Sequence, residues 1–308
     1  MSSVGLNFSS LKSVLDNWIA RGPYFNPVRL VHGRGGLFPG LSPLTLDAYG
    51  PLLVAILHTK IDAQAREHLL KILSEISPKG ILQDRSSRPE VLHWSWGHLE
   101  NVEIIVEHGL RYQIQPGARQ NFGFFPDMVE ARAWVQQQAS GKKILNLFAF
   151  TCSFSVAAMA GGAQSVVNID LSGTSLDIGR SNHRLNQQDL SKVHFLKLDV
   201  LKSWGRLARL GPYDLIICDP PTHQSDSFEV EKDYVKLLRR CPPMLKPRGI
   251  FMACLNSPHH SSSDLLSWLG SDSPLEFSHQ MDIPKEFHNQ DRDCALKILL
   301  FTHCVAKP

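Results

Sequence analysis

KKILNLFAFTCSFSVAAMAGGAQSVVNIDLS, residues 142–172, is the stretch that decides the fold. Within it, "KKILNLFAF" (142–150) and "SVVNIDL" (165–171) are short apolar runs rich in Val, Ile, Leu and Phe, with the helix-length "SFSVAAMAGG" between them. Strands that are apolar on both faces and joined by a helix read as a parallel βαβ unit. The rhythm continues downstream, where "VHFLKLDV" (193–200), "DLIICDPP" (214–221) and "GIFMACLN" (249–256) read as three more buried strands. "SGTSLDIGRSNHRLNQ", "VLKSWGRLARLG" and "VEKDYVKLLRRCPPML" supply the helices between them. "PLEFSHQMDIP" (274–284) and "ALKILLFTHCV" (295–305) follow with no helical pattern separating them, so they should pair antiparallel at the sheet's edge. The expectation is an α/β, Rossmann-like sheet of seven strands with the last pair antiparallel and helices on both faces.

Upstream the texture changes. "RLVHGRGGLFPGLSPLTLDAYGPLLVAIL" mixes Gly and Pro turns with short strands, "DAQAREHLLKILSEI" is an amphipathic helix, and "VEIIVEHGLRYQIQPG" reads as a hairpin. Before them, "SSLKSVLDNWIARG" has Leu11, Val14, Leu15, Trp18 and Ile19 on one helical face and Gly22 as its stop. These patterns predict a smaller α+β domain over 1–115 on the substrate side. A segment over 116–141, in which Pro126 and Asp127 open a helix, connects it to the sheet domain over 142–308.

With 308 residues, 43% of them hydrophobic, the chain can bury a sizeable core. No apolar run approaches the roughly 18 residues that span a bilayer, and the N-terminus lacks the plan of a secretory signal, so a cytoplasmic location is expected. The six cysteines form no C-x-x-C pair, which argues against a zinc site and a disulfide framework. His259 and His260 have no carboxylate or cysteine at ligand spacing and read as a solvated loop; no metal is expected. Lys236, Arg239 and Arg240 read most simply as a solvated helix face. The net charge of +3 permits an anionic partner without demanding one.

Ligands of open parallel sheets bind outside the carboxyl ends of the strands. Here three successive strands end on an acid, at Asp170, Asp199 and Asp219-Pro220-Pro221. A carboxylate after the second strand can accept both hydroxyls of a ribose, and one after the third can accept from an adenine amino group. A dinucleotide would want G-x-G-x-x-G after the first strand, because a pyrophosphate needs close backbone approach. The chain offers "FAFTCSFS" instead, with no glycine between Gly141 and Gly161. S-adenosylmethionine (SAM) has the ribose and the adenine without a phosphate, and so relaxes the glycine requirement.

The pattern "NLFAFTCSFSVAAMAGGAQSVVNIDLS…LDIGRSNHRLN…HFLKLDV…YDLIICDPPTH" resembles the SAM-dependent methyltransferases of large-subunit (23S) ribosomal RNA, which include cytosine-C5 and guanine-N7 methylating members. "RLVHGRGGLFPGLSPLTLDAYGPLLV" is similar to that family's R-L-V-x-x-E-G-D-G-L-P-G-L-x-V-D-x-Y-G-D segment, and "GLRYQI…QNFGFFPDMVEAR" to its segment ending T-G-F-F-L-D-x-R-x-x-R. The resemblance covers residues 25–260 or so. The RNA-binding PUA module of some members is not expected, since only about 25 residues precede the match.

The resemblance implies a class I methyltransferase fold with SAM as cofactor and free or partly assembled rRNA as partner. It places Asn146, Phe148, Thr151 and Ser153 around the methionine part of SAM. Asp170 with neighbouring Leu171 would hold the ribose, and Asp199 with Val200 the adenine. Phe124, Phe125 and Asp127 would close over the cofactor, with Asp219 shared between cofactor and acceptor and Asp219-Pro220-Pro221 facing the substrate. The chain also departs from the family: Cys152 stands where glycine is usual, Val129 where the first arginine after F-F-L-D is usual, with Arg132 retained, Arg34-Gly35-Gly36 replaces part of the E-G-D-G run, and His223 stands where phenylalanine often follows.

Cytosine C5 requires a cysteine to add at C6 first. In the family's C5 enzymes that cysteine lies just after the fifth strand, where this chain has Asn256; Cys254 falls two residues earlier, within the strand, and Cys218 reads as core. Asn256 resembles the asparagine of the guanine-N7 members. The expectation is therefore methylation at a guanine nitrogen, with Asp219, the Pro220 carbonyl and Asn256 orienting the base and His223 stacking on it or bonding to it. The alternatives are a methyltransferase acting on a protein or small molecule, and an RNA-binding homologue with weakened catalysis. The sequence leaves the oligomeric state open.

Overall fold

Long-range packing divides the chain into two units, Met1–Pro126 with Pro284–Arg292, and Asp127–Ile283 with Asp293–Pro308. The computed structural model describes residues 5–22, 26–86, 91–118, 121–221 and 228–304.

The first unit opens on α1 (Phe8–Ala20), where the Asn7 side chain accepts the Ser10 N–H and Leu11 and Leu15 are buried. Its sheet runs β1 (Val28–His32), β2 (Leu44–Tyr49), β3 (Leu52–Leu57), β4 (Lys79–Asp84) and β5 (Leu92–Trp96) in spatial order. The one parallel pair, β3 with β4, is connected through α2 (Ala63–Ile76), as a parallel crossover requires. A separate hairpin pairs β6 (Glu103–Glu107) with β7 (Leu110–Ile114). Its two-residue turn, His108-Gly109, has φ of 49° and 80°, the left-handed pair that matches strand twist.

Packing accounts for much of the "RLVHGRGG" segment. Arg29 faces Asp47 across the β1–β2 ladder and binds it with two nitrogens, at 2.7 and 3.1 Å. The glycine turn that follows is a socket for residues 284–292. A Cβ at Gly35 would fall 2.5 Å from the His32 ring and 2.9 Å from the His288 carbonyl oxygen. Gln290 donates its N–H to the Gly35 carbonyl at 2.7 Å, and Asn289 bonds His32 at 2.8 Å.

The second unit contains α3 (Val129–Gln138), β8 (Lys143–Leu147), α4 (Ser153–Ala160), β9 (Ser165–Asp170), α5 (Gly173–Leu185), β10 (Val193–Lys197), α6 (Trp204–Leu210) and β11 (Tyr213–Cys218). It continues through α7 (Val230–Arg240), β12 (Leu245–Leu255), α8 (Ser262–Ser267), β13 (Leu275–Gln280) and β14 (Lys297–His303). The sheet order is β10-β9-β8-β11-β12-β14-β13. The first five strands are parallel, and β14 pairs antiparallel with both β12 and β13. This is the expected seven-stranded α/β sheet. Leu215, Ile216, Ile217 and Cys218 in its middle are all buried, as strands covered on both faces must be.

The expected boundaries at 115 and 141 move to a crossing between Pro126 and Asp127. Gln115 donates to the Phe122 carbonyl and Phe124 packs on Tyr112, which ties Phe122 and Phe124 to the hairpin. The helix α3 lies instead on α4, so closely that a Cβ at Gly161 would sit 1.9 Å from the Gln136 carbonyl oxygen. The excursion over 284–292 was not anticipated.

Candidate cofactor and acceptor site

Strand order reverses at β8, which has β9 on one side and β11 on the other. The ligand crevice of such a sheet opens outside the carboxyl ends of these strands, at Phe148–Cys152 and at Asp219.

The loop after β8 holds three non-glycine residues in left-handed backbone, Phe148 at φ 57°, Phe150 at 46° and Cys152 at 61°. Each conformation costs about 1–2 kcal/mol and persists only where the surroundings over-determine it. Asp170 does much of this, accepting the Phe150 N–H at 2.7 Å on one oxygen and the Ser172 N–H at 2.8 Å on the other. Asn182 on α5 adds a bond to the Thr151 carbonyl at 3.0 Å. Cys152 is wholly buried and fits because α5 carries Gly179, where a Cβ would lie 2.4 Å from the Cys152 sulfur. A glycine on the facing helix therefore makes room for the side chain that replaces the family's loop glycine. Burial first, and then nearby Asp170, push the Cys152 thiol well above its ordinary range against an opposing Arg180, leaving an inert neutral group.

Several expected cofactor residues line this edge. Asp170 ends β9, and Leu171 beside it is 49% exposed, an apolar surface next to a carboxylate. Asp199 caps the 3₁₀ turn after β10 by accepting the Leu201 N–H at 2.9 Å. Ser153 is the first residue of α4, and Phe148 packs edge-on against Phe228 with ring centres 5.6 Å apart. These groups suit SAM: two strand-end carboxylates with an apolar surface beside one of them, and a tight loop without the open glycine cradle that a pyrophosphate needs.

Other residues are turned inward. Asn146 is only 1% exposed, and its amide donates to Asn168 at 2.9 Å. Asn168 in turn donates to Ser155, which bonds His183 at 2.9 Å, and His183 bonds Gln188 at 2.6 Å. Gln188 uses its NH₂ on the Val156 carbonyl. Its oxygen must then accept from His183 Nδ1, so Nε2 accepts from Ser155. Burial holds the His183 pKa down to about 4, so the ring is neutral in this ladder at pH 7. Asn146 thus braces the sheet beneath the loop. Thr151 and Val200 are likewise buried, Phe124 is buried against Tyr112 in the first unit, and Phe125 is 39% exposed there.

On the acceptor side, Asp219 directly follows β11, and the buried Pro220 and partly buried Pro221 come next. Burial raises the Asp219 pKa to about 7, the Asp127 carboxylate adding to the shift and the buried Arg132 guanidinium opposing it. Thr222 and His223 lie outside the described residues. Cys218 and Cys254 are fully buried, and burial pushes both thiols well above their ordinary range. Asn256 is exposed at the end of β12. His260 bonds Ser257 at 2.8 Å and Glu231 at 3.1 Å, so it belongs to a bonded turn, and no metal-binding cluster occurs among the described residues. Gly179, Asn168 and His183 were missed in the sequence; a glycine inside a helical run was the one available signal.

Among the described residues, no helix is long and apolar enough to cross a membrane. The chain is 28% identical over 284 residues, 88% of its length and 71% of the relative's, to "Ribosomal RNA large subunit methyltransferase I" of Yersinia pseudotuberculosis, and equally so to that of Yersinia pestis. In fold it resembles a Streptococcus mutans protein assigned as a SAM-dependent methyltransferase, with TM-score 0.85 and 23% identity over 98% of this chain and 82% of that one. It also resembles the Methanocaldococcus jannaschii tRNA m1G37 methyltransferase, with TM-score 0.63 and 15% identity over 86% and 77% of the two chains. The profile of one family matches residues 28–302, and on that match the chain belongs to the S-adenosylmethionine-dependent methyltransferases.

Proposed function

We propose that the protein methylates a base of large-subunit ribosomal RNA at a guanine nitrogen rather than at cytosine C5. The rRNA substrate is carried over from the 28%-identical relatives. The observation that carries the choice of atom is the chemistry of the acceptor edge. Asp219-Pro220-Pro221 and exposed Asn256 offer hydrogen-bonding groups there, while Cys218 and Cys254 are buried neutral thiols. Addition to cytosine C6 needs an accessible thiolate beside the base. We place the protein in the cytoplasm, where thiols such as its six cysteines stay reduced.

Bound SAM supplies an electrophilic methyl group, and the protein's part is alignment. In this reading the ionised Asp219 accepts from the amino edge of the base, the Pro220 carbonyl adds a fixed acceptor, and Asn256 bonds a second edge. Rigid prolines keep those acceptors in place without a folding-entropy cost at each turnover. Guanine N7 has no proton to lose, so these groups need only hold the base, which must first be unstacked to reach them. Asp127, whose carboxylate acts on Asp219, contributes on the cofactor side, and the first unit contacts RNA.

Tritiated SAM with deproteinised rRNA tests the proposal. Label in RNA, mapped by mass spectrometry to a guanine, is expected. Label in protein or metabolites only would replace the substrate, and loss of SAM binding in calorimetry would leave an RNA-binding homologue. Asp219→Ala should reduce labelling about 100-fold, the scale of one lost charge-assisted bond, with SAM affinity nearly intact.

A further inference from the structure

Lys297 is the first residue of β14 and lies opposite Leu255, the last residue of β12, in the antiparallel ladder. It is 1% exposed. Its ammonium donates to the carbonyls of Ser257 at 2.6 Å, Asp293 at 2.7 Å and His260. Ser257 and His260 are the two ends of the turn that follows Asn256, and Asp293 opens the segment leading into β14.

Burying an ammonium is costly, and an apolar side chain of similar volume would fill the same space without that cost. The convergent Ser257, His260 and Asp293 carbonyls offset the cost by accepting from the ammonium together, which constrains the direction of each peptide. The same turn is held again from outside. Cys294 donates its thiol to the Pro258 carbonyl, Ser257 bonds His260, and His260 bonds Glu231 on α7 and packs edge-on to Trp268. Asn256 is the exposed residue immediately before this braced turn.

We propose that Lys297 is a positioning residue for methyl transfer: by clamping the Ser257, His260 and Asp293 carbonyls it fixes the Asn256 side of the acceptor edge. It acts through Asn256 and touches neither base nor cofactor. The catalytic half rests on the acceptor role proposed for Asn256, whereas the clamping half stands on the geometry alone.

Lys297→Met removes the ammonium and keeps the volume. In the SAM-bound protein, backbone hydrogen exchange over 256–262 should accelerate at least tenfold, with the 146–153 loop unchanged and SAM affinity within about threefold of wild type. The single-turnover transfer rate to rRNA should fall 10- to 100-fold, Lys297→Arg should recover part of it, and Lys297→Met with Asn256→Ala should be no slower than the slower single variant. Unchanged exchange over 256–262 overturns the clamp, and a lowered melting point with an unchanged rate per SAM-binding molecule overturns the positioning role. If wild-type protein labels no RNA, the proposed substrate fails while the exchange measurement still decides the clamp. Should Lys297→Met fail to fold, Lys297→Gln, whose amide keeps two of the three donors, takes its place, with a smaller acceleration over 256–262 and a smaller loss of rate expected; exchange and rate both equal to wild type would overturn the proposal.

Discussion

Replacing Asp219 by asparagine should make the protein more stable and less active. Burial and the neighbouring Asp127 lift the Asp219 pKa from an ordinary 3.8 to about 7, with Arg132 opposing. Between those two values the folded state holds a proton that the unfolded chain has released, so unfolding free energy falls as pH rises through the window. At about 1.36 kcal/mol per unit, the full shift corresponds to ~4 kcal/mol. The side chain keeps some contact with solvent, and screening reduces the expected effect to about 2 kcal/mol. The substituted amide is neutral at every pH, so Asp219→Asn should equal wild type near pH 4 and gain steadily above it. At pH 8 the cofactor-free variant should melt about 4–8 °C higher, given the size of the second unit. Differential scanning calorimetry at pH 4.5, 6 and 8, with methyl transfer assayed in parallel, reads both halves. Equal melting points at pH 8 would mean that the carboxylate is not held against its ionisation, and full activity in the variant would remove it from the acceptor edge.

Gly179→Ala should destabilise the second unit by about 1–3 kcal/mol, the range for overpacking a core, because its Cβ would meet the Cys152 sulfur; Cys152→Gly in the same chain should return most of it, and an additive double-mutant cycle by urea melts would deny the coupling. Asp170→Asn should weaken SAM binding 10- to 100-fold in calorimetry, since it removes the charge-assisted acceptor that holds the Phe150 N–H. His183 stays neutral in the folded state to about pH 4 while the unfolded chain protonates near 6.5, so its share of stability is lost as pH falls through that window. His183→Gln should remove up to about 2 kcal/mol of acid sensitivity between pH 7 and 5, read by denaturant titration, and an unchanged slope would count against the neutral ladder. Cys254→Ser should keep methylating rRNA; a covalent protein–RNA adduct in wild type that disappears in this variant would restore C5 chemistry.

The βαβ rhythm and the three strand-end acids were readable because each is a local pattern: apolar runs of strand length, helix-length spacers, and an acid at the same point of successive strands. The direction in which a side chain points was not. Asn146 and Phe148 sit two residues apart at the end of one strand, yet Asn146 faces the buried ladder through Asn168, and only the packing of α4 and α5 on that face decides it. Cys152 looked like a misfit in the sequence because the glycine that accommodates it lies on α5, a contact that no spacing rule encodes. The return of 284–292 to the first unit depends on His32 meeting Asn289, across almost the whole chain. Lys297 gave no signal in the sequence, since the acceptors at Ser257, His260 and Asp293 are backbone carbonyls and leave no mark in composition.

The two sides of the crevice are made rigid by different means, and this bears on how each can change. The cofactor loop takes its shape from backbone groups, the Phe150 N–H on Asp170 and the Thr151 carbonyl on Asn182, together with the Cys152–Gly179 fit. The Cys152 side chain is accommodated there because Gly179 on α5 leaves room for its sulfur. The acceptor edge we propose would depend instead on side-chain identity: a carboxylate held partly against its own ionisation, a proline pair, and an asparagine that leads into a turn gripped by one ammonium. Substitutions at Asp219, Asn256 or Lys297 should therefore alter transfer or base preference while SAM affinity survives, and substitutions at Asp170 or Gly179 should do the reverse. A set of variants in which both properties fell together at every one of these positions would contradict that division.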